Sequence, residues 1–143
     1  MCVQLPAKMS KAAFLIWAQG VEGRYELADG HVVVMIGATF AHACITGNLM
    51  ALLRGQLDLD QWTVLSDFGV DTGDNTLRSP DIVIDRAGAN PDDVTATAPM
   101  LLVEVTSPSS KRIDLADKPA EYLRLPSLAA YLAFAEDEHT AHV

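Results

Sequence analysis

The run Leu101–Thr106, LLVEVT, closed by the polar turn Ser107–Ser110, constrains this chain more than any other stretch. A short apolar run bounded by turn residues is the signature of a core strand. Strand alternation puts Leu102, Glu104 and Thr106 on one face and Leu101, Val103 and Val105 on the other. A carboxylate in such a strand is costly unless it is paired, neutralised or bound to a metal. No cation lies within the stretch, so the fold has to bring a partner for Glu104 from elsewhere in the sequence.

The rest of the chain supplies the elements for such a fold. Ser10 opens a helical pattern through KAAFLIWAQ that stops at Gly20. In RYELADGHVVVMIG, Asp29-Gly30 between apolar runs predicts a tight hairpin. Ile45, Leu49, Leu52 and Leu53 recur at helical spacing between Ala38 and about Leu57. WTVLSDFGV and LRSPDIVID read as strands around the turn formers of DTGDN, and AGANPDDVTATAP reads as a loop. After the Glu104 strand, Asp114, Lys118 and Tyr122 fall at successive i, i+4 positions, one helix face, and AAYLAFAED reads as a last strand. The order α, hairpin, α, β, β, β, α, β predicts an α/β (α+β) fold, with helices against a mixed, curved sheet.

Composition narrows the function classes. With 143 residues, half of them apolar, the chain is long enough for one cored domain. No apolar run is long enough to span a bilayer and the N-terminus lacks the order of a signal peptide, so no membrane association is expected. Cys2 and Cys44 match no metal spacing and read as free thiols in a reducing, cytoplasmic setting. A net charge of −9 opposes any broad electrostatic grip on nucleic acid. Arg54, Arg78, Lys111, Arg112, Lys118 and Arg124 are the cations that could offset it by clustering.

From the residues alone two answers stand for Glu104: an ion pair with an arginine such as Arg78 or Arg112, or a metal. Asp81 is the candidate co-ligand. It opens the strand DIVID with Asp81, Val83 and Asp85 on one face, and two neighbouring carboxylates repel unless a hard cation lies between them. For Asp81 alone, a strand-entry acid held by backbone N–H groups is the plainer reading. His31, His139 and His142 show no ligand spacing, and Trp17 and Trp62 read as core or partly buried residues.

RYELADGHVVVM, SPDIVI, LLVEVTSPSS, the Asp114/Lys118/Tyr122 series and LPSLAAYLAF together resemble, in order and spacing, the Uma2 family of restriction-endonuclease-like proteins. That family is part of the PD-(D/E)XK nuclease superfamily. The resemblance runs from about Ser10 to the last residues. It implies a single endonuclease-like domain over 1–143, C-terminally shortened relative to the family, with a mixed sheet flanked by helices. It further implies a Mg²⁺-dependent phosphodiester hydrolase, with Mn²⁺ able to substitute, acting on nucleic acid, DNA by default, with a homodimer as the assembly expected by analogy. On this pattern Asp81 and Glu104 match the metal-holding acids and Lys118 the lysine assisting the attacking water. Thr106 stands where the wider superfamily has its lysine. Glu26, His42 and Tyr122 match further site positions. Pro119 departs from the family, which has an apolar helix former there; the expected accommodation is a late helix start with Asp117 as N-cap. The alternative function is a catalytically silent binding or dimerisation module on the same fold.

Overall fold

A computed structural model describes residues 8–137 and 141–143; Cys2 and His139 lie outside them. Helix α1, Lys11–Gln19, starts where the Ser10 side chain accepts from the Ala13 N–H and stops at Gly20, whose N–H donates to the Trp17 carbonyl. Strands β1, Arg24–Ala28, and β2, His31–Met35, form the expected hairpin. Its turn residues Asp29 and Gly30 both have positive φ, 48° and 80°, as a type I′ turn requires.

Helix α2, Phe40–Gln56, is capped by Thr39. Five strands follow in pairs and singles: β3, Trp62–Ser66; β4, Val70–Gly73; β5, Thr76–Arg78; β6, Ile82–Arg86; and β7, Leu101–Thr106. A helical stretch with a π-turn over Ile113–Asp117 runs into α3, Lys118–Tyr122, and β8, Ala130–Ala135, and β9, Ala141–His142, complete the described chain.

The strands make two sheets rather than one. The expected mixed sheet has the order β3-β6-β7-β8-β9, with β7 and β8 parallel and the other pairs antiparallel. The hairpin joins β5 and β4 in a second, antiparallel sheet of order β2-β1-β5-β4. On one face of the mixed sheet Val83, Leu102, Tyr131 and Ala133 pack with Val70 and Tyr122; on the other, Ile82, Ile84 and Val103 meet Leu49, Met50 and Leu53 of α2. Leu52, expected on the buried side of α2, is 59% exposed, because the helix rests on the Leu49/Leu53 line and none of its residues is fully buried. Phe14, Leu27 and Leu77 form a third core beneath the hairpin.

Register decides the position of the acids. Ile82 faces Val103 and Val83 faces Leu102, so one step further Asp81 stands opposite Glu104 on the same face. The β7 strand is buried along nearly its whole length, as its sequence demands.

The π-turn corrects the expected late helix start. Asp117 has helical backbone angles and its side chain makes no capping bond, while the Lys118 N–H donates to the Ile113 carbonyl five residues back. The helix thus continues through Pro119 by widening before it. Among the described residues no helix is long and apolar enough to cross a membrane.

Candidate active site

A cleft of about 560 Å³ opens between the hairpin, the N-terminus of α2 and the ends of β6 and β7. Glu26, His42, Asp81, Glu104 and Lys118 all line it. Tyr122 sits beneath, fully buried, and its hydroxyl donates to Glu104 Oε1 at 3.1 Å. The structure therefore gathers all six residues singled out in the sequence.

The partner of Glu104 is Lys118. Its Nζ lies 2.7 Å from Glu104 Oε1, 3.1 Å from Asp114 Oδ1 and 3.7 Å from Glu26 Oε1. Arg112 instead pairs on the surface with Asp117. Arg78 serves a neighbouring acid: it grips Glu121 with two hydrogen bonds, of 2.8 and 2.6 Å, and donates to Glu26 Oε2 at 3.2 Å. Glu26 is further held by the Ser79 N–H at 2.9 Å. Asp81 is fixed from two sides, accepting from the Val105 N–H at 2.7 Å and lying 3.0 Å from His42 Nε2.

The buried charges do not balance. Among the described residues, the buried carboxylates Glu26, Asp81, Glu104 and Asp114 outnumber the buried cations Arg78 and Lys118; Asp81 meets His42 instead of either, and Arg78 is also shared with the partly buried Glu121. Burial pushes the Glu104 carboxyl up to about 8, with Asp81 and Asp114 raising it further and Lys118 opposing. Burial disfavours the Lys118 ammonium, but Glu104, Glu26 and Asp114 outweigh it and hold the proton more tightly than usual. Burial beside the same acids likewise keeps the Tyr122 hydroxyl protonated.

Asp85 shows the contrast. It is as deeply buried, yet accepts from the Thr97 and Ala98 N–H groups at 2.8 and 2.7 Å and lies away from the cleft. Its role is to pin the loop before β7.

Four partners went unmarked in the sequence. Asp114 was visible as part of an i, i+4 series but not as a member of the site, and Glu121 gave no signal. Thr39 links α2 to Glu136, just past β8: its hydroxyl caps the His42 N–H and lies 3.1 Å from Glu136 Oε2, which is 3.9 Å from His42 Nδ1. Only the parallel register of β7 and β8 brings Glu136 to this end of the sheet. Of the six candidate cations, Arg78 and Lys118 line the cleft and both are paired.

Among the described residues, no group of three or more His, Cys, Asp or Glu side chains stands in the arrangement of a metal cage. The donor set is nonetheless of the right chemistry for a hard cation, which binds through one or two carboxylates and fills its remaining positions with water and phosphate oxygens. A surplus of buried carboxylates beside an open cleft fits such an ion.

A mixed sheet whose acids gather at one end of two central strands, with a lysine delivered by the following helix, is a restriction-endonuclease-like arrangement. The chain belongs to the Uma2 family, described as "Putative restriction endonuclease", whose model matches residues 12–143. It is 28% identical over 131 residues to "Uncharacterized protein slr1290" of Synechocystis sp., covering 87% of this chain and 67% of that protein. The fold is shared with the crystal structure of "a putative nuclease belonging to DUF820 from Anabaena variabilis ATCC 29413", at a TM-score of 0.71 and 14% identity over 93% of this chain and 77% of that one.

Proposed function

We propose that the protein is a metal-dependent phosphodiester hydrolase acting on nucleic acid, DNA by default, with Asp81 and Glu104 holding Mg²⁺ or Mn²⁺. The observation that carries this is the excess of buried carboxylates over cations at the cleft. A fold gains nothing in stability from unbalanced buried charge, so the surplus points to a cation acquired from solution. When bound, the ion supplies Lewis acidity and positive charge beside the scissile phosphate.

The chain's own groups do the rest. Asp81 is held rigidly by Val105 and His42, which fixes one donor before any ligand arrives. Glu104, pushed up to about 8, would give up its proton to hold the ion. Lys118, kept charged by three carboxylates, is the donor that orients the attacking water or steadies the developing charge. Glu26 and Asp114 would keep Lys118 anchored if Glu104 held the ion. Polyanion binding rests on the same cation, because the nearby Arg24, Arg78 and Lys118 are each engaged with acids.

The test is thermal denaturation at pH 8 under Mg²⁺ or Mn²⁺ titration, paired with cleavage of supercoiled plasmid. Wild type rises in melting temperature and nicks the plasmid, and Asp81→Asn does neither. Absence of a metal response in wild type with both ions refutes the proposal. A silent binding or dimerisation module is the second reading, favoured by the exposed apolar side chains Ile36, Phe40 and Leu52, at 87%, 85% and 59%. That reading predicts no metal response and a concentration-dependent dimer in sedimentation.

A further inference from the structure

Pro119 follows the lysine of the site and has no N–H to donate. In an uninterrupted α-helix the carbonyl deprived of its donor would be that of Leu115, four residues back. The π-turn moves the deficit. With the Lys118 N–H bonded to the Ile113 carbonyl, the next donor in that pattern is residue 119 and the next acceptor is Asp114. The Asp114 carbonyl is where a hydroxyl arrives from another element: Tyr131 Oη, on β8, donates to it at 2.8 Å in a buried setting.

We propose that Tyr131 is a positioning residue for Lys118, its hydroxyl replacing the backbone N–H that Pro119 lacks and so holding the π-turn in register. The inference rests on the reading of Lys118 as a site residue. Its structural content stands on the Asp114 carbonyl, the Tyr131 hydroxyl and the proline. The Tyr131 ring packs on Tyr122, with centroids 5.0 Å apart, and the Tyr122 hydroxyl meets Glu104. Tyr131 thereby grips both the turn that carries Asp114 and Lys118 and the ring that supports Glu104. A buried carbonyl left without a donor would reopen the turn, and Asp114 and Lys118 ride on it.

The test does not need catalysis. Lys118 is almost fully buried, so reductive methylation of the intact chain, mapped by peptide mass spectrometry, should leave it protected in wild type. In Tyr131→Phe its methylation should accelerate about tenfold, the effect of one orphaned buried carbonyl on local opening. Pro119→Ala restores a backbone N–H, so the double variant should regain protection although it still lacks the hydroxyl. Unchanged protection in Tyr131→Phe, or equal exposure in the single and double variants, would overturn the proposal. If Tyr131→Phe does not fold, a folded double variant supports it and an unfolded one overturns it. A protein without nuclease activity would still give this result, so failure of the functional reading is read separately, from the metal titration.

Discussion

Replacing Glu104 with Gln keeps the side chain's shape and removes its charge, and the structure fixes the sign of the effect at each pH. The carboxyl is pushed from 4.5 to about 8, chiefly by burial. A group whose pKa rises on folding binds its proton more tightly in the native state, so its contribution is fully present below pH 4.5 and is lost as pH climbs through about 8. At about 1.4 kcal/mol per pKa unit, the ceiling on that loss is about 5 kcal/mol. Gln mimics the protonated acid at every pH. Its effect on the metal-free protein should therefore be small at pH 5 and a stabilisation of about 1–4 kcal/mol at pH 9. Lys118 is not orphaned by the change, since Asp114 and Glu26 remain at 3.1 and 3.7 Å. Urea denaturation in EDTA at the two pH values measures this. The same melts with Mg²⁺ should show wild type gaining about 3 kcal/mol at a hundredfold excess over Kd and the variant gaining nothing. A variant destabilised by about 3–5 kcal/mol at both pH values, with its metal response intact, would make Glu104 the structural counter-ion of Lys118 and refute the reasoning.

Three other outcomes follow from the same geometry. If Glu104 holds the metal, its proton must leave on binding, so Mg²⁺ or Mn²⁺ affinity should fall about tenfold per pH unit below about 8 and level off above it, as titration calorimetry would show; a flat profile from pH 6 to 9 would exclude Glu104 as a ligand. Lys118→Met leaves Glu26, Glu104 and Asp114 without their shared cation and should destabilise the metal-free fold by about 3–5 kcal/mol, with Mn²⁺ restoring part of the loss in thermal melts. Asp85→Ala strips the acceptor from the part-buried Thr97 and Ala98 N–H groups and should cost about 1 kcal/mol in urea melts while leaving the metal-induced shift of melting temperature unchanged.

Where local chemistry decides the structure, the sequence was readable. Asp29-Gly30 specifies its own turn, Ser10 its own cap, and the parity of β7 places Glu104 opposite the Val103/Val105 face. The Asp114, Lys118 and Tyr122 series reached one face as its spacing predicts. What could not be read depends on pairings between distant segments. The second sheet hangs on the contact of β1 with β5, where Leu27 meets Leu77, and nothing local to either strand announces it. Glu136 reaches His42 and Arg78 reaches Glu121 by the same long-range assembly. Pro119 reads as an obstacle, but its accommodation draws on a hydroxyl from β8, which lies outside any helix-capping rule applied to the segment alone.

The two kinds of buried acid in this fold argue for different origins. Asp85 meets backbone donors from its own neighbourhood, so its charge is balanced by dipoles that exist only when the loop is folded; removing it damages structure and nothing else. Asp81 and Glu104 share one face of adjacent strands at the cleft, where Glu104 draws on a lysine that Asp114 and Glu26 also claim and Asp81 meets His42. Folding could have relieved that crowding with one more arginine or one fewer acid. A site that pushes its own carboxyl up to about 8 holds that proton at neutral pH, and under the proposed function a divalent cation would displace it. The same imbalance accounts for two facts that otherwise conflict: a chain of net charge −9 and membership in a nuclease-like family. With Arg78 and Lys118 already paired, the metal-free cleft would disfavour a polyanion, and under the proposed function a bound cation would make it acceptable to phosphate.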